Sequence, residues 1–252
     1  MSPDPAKAVR VQKVIAQAGL ASRREAEAWI REGLVTVNGE VVELGHTMTP
    51  GVDELRVDNT RVRLDGPARS VLYALYKPKN CITTLKDPQG RVTIRQFFPK
   101  TSVRLFPVGR LDYDAEGLIL LTNNGDWSQR LMHPRHKVWK GYFVKVRGVV
   151  PESALMPLRQ GPTLQGRAHQ PTRIRILHHR NDKTWLEVSL REGTNHQIKK
   201  MFQQISFPVL KIKRFRIGSL NLGEMRPGES RLLTAEEQQA LLNPAQELPE
   251  HA

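Results

Sequence analysis

The residues of this sequence whose types and spacing could do chemistry cluster in Val108–Asp126, VGRLDYDAEGLILLTNNGD. Arg110, Asp112, Asp114 and Glu116 precede a continuous apolar run, after which Asn124-Gly125 is expected to turn the chain. Acidic residues in turns most often cap backbone amides, and spacing alone gives that role the larger share. A loop entering a buried strand is nevertheless a sound mount for a reactive carboxylate, because the sheet fixes its position. Tyr142, in KGYFVKV, brings a stacking ring and a hydroxyl, although a tyrosine in an alternating strand usually packs across strands. Lys199 and Lys200, taken alone, read as an exposed basic helix end. Helix geometry puts Lys199 beside the Ile198 face rather than opposite it.

The composition narrows the partner. There are 39 Lys and Arg against 25 Asp and Glu, a net charge of +14 over 252 residues, which calls for a polyanion. An anionic membrane surface competes with nucleic acid on charge alone, but no apolar run approaches the roughly 20 residues that span a bilayer. Met1–Lys7 has no apolar segment of the signal-peptide kind behind it. Cys81 is the single cysteine, which excludes an intramolecular disulfide and a multi-cysteine zinc site. The eight histidines have no metal-ligand spacing, and His178-His179 is a lone pair flanked by Arg180. A cytoplasmic protein needing neither metal nor cofactor is expected.

The elements that must position these residues fall into two groups. Val11, Val14, Ile15 and Ala18 share one helix face that stops at Gly19. Ser22 opens a second helix, with Glu25 completing a capping box, Ala26, Trp29 and Ile30 forming its apolar face, and Gly33 ending it. Val35, Val37, Val41 and Val42 surround Asn38-Gly39, a hairpin signal, and Asp58-Asn59 is expected to turn the chain after Leu55 and Val57. Lys13, Arg23, Arg24 and Arg31 give a basic helical face. Arg63–Ser70 reads as a linker. Beyond it, strand character dominates Val71–Tyr76, Leu118–Leu121, Tyr142–Val150, Arg173–Leu177, Thr184–Leu190 and Leu210–Leu222. Long helices are scarce. One begins at Thr194, where Gln197 is expected to complete a capping box, and Ile198, Met201, Phe202 and Ile205 supply its apolar face. Pro249–Ala252 is expected to fray. The fold class is α+β: a small domain of an αα-hairpin plus strands, then a larger catalytic domain on a mainly antiparallel sheet with flanking helices.

Two resemblances attach to these residues. Residues 9 to 62, including ASRREA at 21–26, resemble the S4 RNA-binding domain, whose helix pair rests on structured RNA through phosphate contacts. That resemblance implies RNA-binding roles for Lys13, Ser22, Arg23, Arg24 and Arg31. Gly109-Arg110-Leu111-Asp112 with Gly117 and the leucine-rich strand resembles the catalytic motif of RNA pseudouridine synthases. The RsuA/RluB/RluE/RluF group, which pairs an S4 domain with this catalytic domain, is the match. The likeness spans residues 10 to 235, with Lys77-Pro78, Gly109–Gly117, Lys140–Val146, Glu192–Met201, Ile217-Gly218 and Pro227-Gly228 in the family's order.

The resemblance implies that Asp112 acts on a uridine extruded from ribosomal RNA, whose uracil is detached at N1, turned and reattached through C5. Covalent addition and assisted elimination both stay open. Tyr142 and Lys199 are its catalytic partners, the tyrosine stacking on the base and relaying the C5 proton, the lysine pairing with the aspartate. Arg110, Lys77, Lys140, Asn195 and Gln197 are the implied substrate-binding residues. Arg110 is placed to fill the gap left by the extruded nucleotide, or otherwise to meet a phosphate.

The sequence departs from the family at Tyr76, Asn80 and Ala115, where asparagine, glycine and threonine are usual. His196 stands where many large-subunit relatives have arginine and the small-subunit type has histidine, so the subunit stays open. The implied partners are ribosomal RNA or subunit assembly intermediates, met by a monomer. The implied domains are an S4-like domain at 9–66, a catalytic domain at 67–240 and a tail at 241–252. The competing functions are a ribosome-assembly factor that kept the fold and lost the reaction, and a generic polyanion or membrane-surface binder, which leaves the ordered motifs unexplained.

Overall fold

The computed structural model describes residues 8–64, 70–98, 101 and 103–242. Met1–Lys7, the middle of the expected linker and the frayed end expected at Pro249–Ala252 lie outside the described residues. The chain divides into two compact units. One comprises residues up to Ser70 with the segments 101–104 and 123–125, the other the remaining residues.

The small unit runs β1 (Val9–Arg10), α1 (Val11–Gln17), α2 (Arg23–Arg31), β2 (Val35–Val37), β3 (Glu40–Val41), β4 (Thr47–Met48), β5 (Leu55–Val57) and β6 (Thr60–Arg61). Ser22 Oγ accepts from Glu25 N at 3.1 Å while Glu25 Oε2 accepts from Ser22 N at 3.3 Å, so the capping box closes from both sides. Asn38 and Gly39 have φ of +53° and +88°, as a type I′ turn requires, and they bring Val37 opposite Glu40. Val11, Val14, Ile15, Ala26, Ile30, Val35, Val37 and Leu55 form the core. Ala18, expected on the apolar face of α1, caps that helix instead and is exposed.

In the large unit, β7 (Leu72–Lys77), β8 (Phe106–Val108) and β9 (Glu116–Thr122) precede α3 (Gly125–Met132) and β10 (Lys140–Arg147). Next come α4 (Glu152–Gln160), the hairpin of β11 (Thr163–Leu164) and β12 (Arg167–Ala168), β13 (Arg173–His179) and β14 (Lys183–Leu190). The chain continues through α5 (Gln197–Gln204), β15 (Val209–Ile217), β16 (Leu220–Asn221), β17 (Ser230–Leu232) and α6 (Ala235–Leu242). Among the described residues, nine strands form one sheet in the order β13-β14-β10-β15-β9-β7-β17, with β8 on β9 and β16 on β15. β9 and β15 run parallel, and the other pairings are antiparallel. Every residue of β9 is buried, in keeping with the continuous apolar run Leu118–Leu121 at its centre in place of an alternating pattern.

Two expectations change, and one helix is added. Gly125 does not turn the chain into a loop; it opens α3, whose Leu131 is buried in the core of β7 and β9. α4 escapes the sequence because Pro157 interrupts its pattern, yet burial of Leu155 and Leu158 holds the helix together. α5 begins at Gln197 rather than at Thr194, because His196 takes a left-handed φ of +55°. Only half of the expected box survives: Gln197 Oε1 accepts from Thr194 N at 3.1 Å, ahead of the helix proper.

Strand register sorts the sheet into two faces. Tyr142, Val144 and Val146 of β10 point with Leu186, Val188, Ile174 and Ile212 into a core closed by Leu155, Leu158, Met201 and Phe202. The opposite side of β10 carries Phe143, Lys145 and Arg147, set against Glu187, Trp185 and Lys183 of β14.

Candidate active site

Asp112 sits on the loop between β8 and β9, held from beneath by the chain just after β7. Leu111 exchanges hydrogen bonds with the buried Thr83 hydroxyl: Oγ1 donates to Leu111 O at 2.8 Å and accepts from Leu111 N at 3.2 Å. Asn80 N donates to Tyr113 O at 2.9 Å, and Ala115 N closes a turn on Asp112 O at 3.2 Å. Lys77 is fully buried, and its ammonium donates to Ala115 O at 2.7 Å and Pro78 O at 2.9 Å. The loop then enters β9 at Gly117, with φ of +113°, where a Cβ would lie 2.7 Å from the backbone nitrogen of Arg214 on β15. Glycine is required there both for the angle and for the close approach of the parallel strand.

Across the loop, the Asp112 carboxylate lies 3.4 Å from Lys199 Nζ and 3.6 Å from His196 Nε2. Lys199 binds Asp114 more tightly, at 2.7 and 2.9 Å. Burial pulls the Asp114 carboxyl upward, but its hydrogen bonds and the Lys199 charge outweigh this, and its pKa falls below the ordinary value. Burial acts on Lys199 in the opposite direction, and the two aspartates overcome it to raise that ammonium's pKa. The lysine is thus held charged between two carboxylates.

A cavity of about 190 Å³ opens beside Asp112. Arg110, Tyr142, Lys140, Gln197, Lys199 and Arg214 line it, together with apolar walls from Leu120, Ile198 and Ile212. Lys140 presents a cation there, and burial with the neighbouring Arg214 charge brings its pKa down to about 8. Gln197 faces the cavity with its amide engaged, Nε2 donating to Glu192 Oε1 at 2.9 Å. Asn195 is exposed and outside the cavity wall, and Lys77 lies beneath the loop instead of in contact with the cavity. Burial lowers the Lys77 pKa to about 8, opposed by Cys81, Asp112 and Asp114. For Lys77, then, the geometry replaces substrate contact with support of the loop. In the small unit Arg23, Arg24 and Arg31 are exposed, whereas Ser22 uses its hydroxyl oxygen as the cap of α2.

Several residues at the site carried no signal on their own. Glu192 is buried against the cavity and accepts from Gln170 N at 3.1 Å, with His169 Nδ1 2.7 Å away. Arg214 is buried, gives Nε to Leu118 O at 2.7 Å, and leaves Nη2 without a hydrogen-bond partner among the described residues. An arginine amid Lys211, Lys213 and Arg216 looks like one more surface cation. Only the β10–β15 register, which sets Arg214 opposite Tyr142, turns it inward.

These features coincide with a sequence match. A family model described as RNA pseudouridylate synthase matches residues 71–204, and an S4 domain model matches residues 9–53. The chain belongs to the RNA pseudouridylate synthase family. It is 40% identical over 231 residues to ribosomal large subunit pseudouridine synthase B of Bacillus subtilis (strain 168), covering 90% of this chain and 93% of that protein. It is 41% identical over 227 residues to an uncharacterized RNA pseudouridine synthase of Aquifex aeolicus (strain VF5), covering 89% and 90%. Among solved structures, a crystal structure of pseudouridylate synthase superposes with a TM-score of 0.67 at 32% identity, over 92% of this chain and 99% of that one.

The departures of this pseudouridine synthase from the family pattern have local reasons. Asn80 takes φ of +56°, a conformation asparagine tolerates in place of glycine. Ala115 is buried in the main core, so packing and the Lys77 bond hold the loop without a threonine hydroxyl. Tyr76 is buried, with Lys213 Nζ 5.2 Å from its ring centre.

Proposed function

We propose that this enzyme converts a uridine of large-subunit ribosomal RNA to pseudouridine, with Asp112 as the group that acts on the nucleotide. The observation that carries the assignment is the Asp112 carboxylate at the edge of a small cavity, with Lys199 3.4 Å away and Tyr142 in the wall. The large-subunit assignment leans on the printed function of the Bacillus subtilis relative.

The reaction breaks the N1–C1′ bond, turns the ring and forms C5–C1′, while C5 loses a proton and N1 ends with one. Asp112 serves this by adding covalently or by assisting elimination, and either route needs a carboxylate kept in register by Thr83, Lys77 and Gly117. Tyr142 stacks on the base and relays the C5 proton. Lys140, backed by Arg214, places positive charge where the detached uracil gathers negative charge. Arg110, exposed at the mouth, fills the space of the extruded nucleotide. Extrusion costs a few kcal/mol and least where the target is unpaired, so the target lies in a loop or transiently open region. Lys13, Arg23, Arg24 and Arg31 of the 9–66 domain meet phosphates, leaving the 67–240 domain to read the local fold. No described helix is long and apolar enough to cross a membrane. The enzyme acts in the cytoplasm as a monomer.

Tritium release from rRNA labelled at uridine C5 tests this, comparing wild type with Asp112→Asn. Release by the wild type alone is expected. Release from neither protein, on naked rRNA and on immature subunits alike, would replace the reading with a non-catalytic assembly factor.

A further inference from the structure

The face of β13, β14, β10 and β15 turned away from the main core carries cations held on aromatic rings. Lys145 Nζ lies 5.0 Å from the Trp185 ring centre, and the guanidinium carbons of Arg173 and Arg191 lie 4.7 and 4.3 Å from that of Trp139. Phe143 and Phe215 stack 4.2 Å apart, with Arg216 5.5 Å from the Phe215 centre. Among the described residues two carboxylates share this face, and both are neutralised: Glu187 by Arg175 and Glu116 by Lys211, each at 2.7 Å.

Two cross-strand pairs on this face join opposite charges, Arg175 with Glu187 and Lys213 with Glu116, but two others do not. Here Lys145 is directly opposite Lys211, and Arg147 directly opposite Lys183. Like charges in facing positions are destabilising, so the arrangement costs stability that a bound polyanion would repay. Trp139, Phe143, Trp185 and Phe215 are all only half-buried. A ring beneath an ammonium or guanidinium fixes the cation while leaving its outer N–H groups free for phosphate oxygens.

We propose that this face binds the phosphodiester backbone of an RNA segment flanking the target, so that the substrate engages both sides of the catalytic sheet. The inference rests on the RNA-modifying function proposed above. It is a positioning surface rather than a reading one, because phosphate contacts carry no sequence information.

The test uses the full chain and two double variants, Lys145→Gln with Lys213→Gln, and Arg173→Gln with Arg191→Gln, none of which lines the catalytic cavity. Glutamine keeps a stem on the ring and removes the charge. Binding is measured against a large-subunit rRNA transcript and against a short stem-loop carrying the target uridine. For the transcript, affinity should fall about 10-fold per double variant, and the slope of log affinity against log salt should flatten by about 1.5, as expected for two lost phosphate contacts. Affinity for the stem-loop and kcat at saturating RNA should not change. Unchanged affinity and salt slope on the transcript, or an equal loss of kcat on both RNAs, would overturn the proposal. Loss of binding only to protein-containing subunit particles would assign the face to a protein instead. Should a variant misfold, photocrosslinking of thiouridine-substituted transcript to wild-type protein decides: crosslinks at Trp185 or Phe143 support the face, and their absence rejects it. The binding measurements need no turnover, so failure of the catalytic assignment would show separately, as loss of tritium release by the wild type.

Discussion

In the small unit, elements are closed by near neighbours. Ser22 and Glu25 cap one helix between themselves, and Asn38-Gly39 joins two strands through its own backbone angles. In the large unit, the site is closed by residues far apart in sequence. Thr83 holds Leu111 across 28 residues, Lys77 holds Ala115 across 38, and Lys199 reaches Asp114 across 85. A module proposed only to grip phosphates needs a firm surface with cations on it, which local turns and caps can supply. The carboxylate proposed to act on a nucleotide needs a position fixed to fractions of an ångström, and only strands and buried donors brought from elsewhere provide that.

The sharpest break in this comparison is Asp112→Asn. It keeps the shape of the loop and removes the charge, so turnover should fall to background in the tritium assay while rRNA affinity, measured by filter binding, stays near wild type. Lost affinity would give Asp112 a structural role. Lys199→Ala should lower kcat by about 10²-fold, the scale for removing one electrostatic partner, with little change in KM. An unaltered kcat would remove the lysine from the mechanism.

Gly117→Ala comes next, pressing a methyl into the Arg214 backbone at a positive φ. A loss of roughly 3 kcal/mol in chemical denaturation is expected, at the upper end for overpacking. The buried lysines give a pH signature. Lys77 and Lys140 both have folded pKa values near 8, below the ordinary 10.5. Between those limits the unfolded chain binds more protons, so their contribution makes stability increase as pH rises from 8 to 10.5. The increase should be smaller in Lys77→Met, and an identical pH profile would count against the burial reading. In the small unit, Ser22→Ala should cost only about 1 kcal/mol, seen as faster hydrogen exchange in α2, because a single cap is lost and nothing distant depends on it.

The contrast also explains what could be read early. Ser22, Glu25, Asn38 and Gly39 carry chemistry that acts within a few residues, so their elements are legible from the sequence. Gly125 misled for the same reason: its strong local meaning is overridden by burial of Leu131 in α3, and α4 likewise forms around Pro157 through burial of Leu155 and Leu158. Thr83 and Arg214 carry no local signal, since their importance lies wholly in what the sheet sets opposite them, and Glu192 stands out only as the first residue of the Glu192–Met201 block. Lys77 was visible as part of a motif, yet whether it faces a substrate or supports a loop depends on the side of the loop it lies on.

The sequence by itself determined the α+β class, the basic character, the turns and caps of the small unit, and the motifs that mark the family, because charge, backbone angle and apolar period are properties of short stretches. The tertiary structure decided that Lys199 is shared by Asp112 and Asp114, that Arg214 points inward among outward-facing cations, and that like charges line the outer face. Those facts depend on strand register, which is set by cooperative packing across the whole sheet, and no single segment contains it.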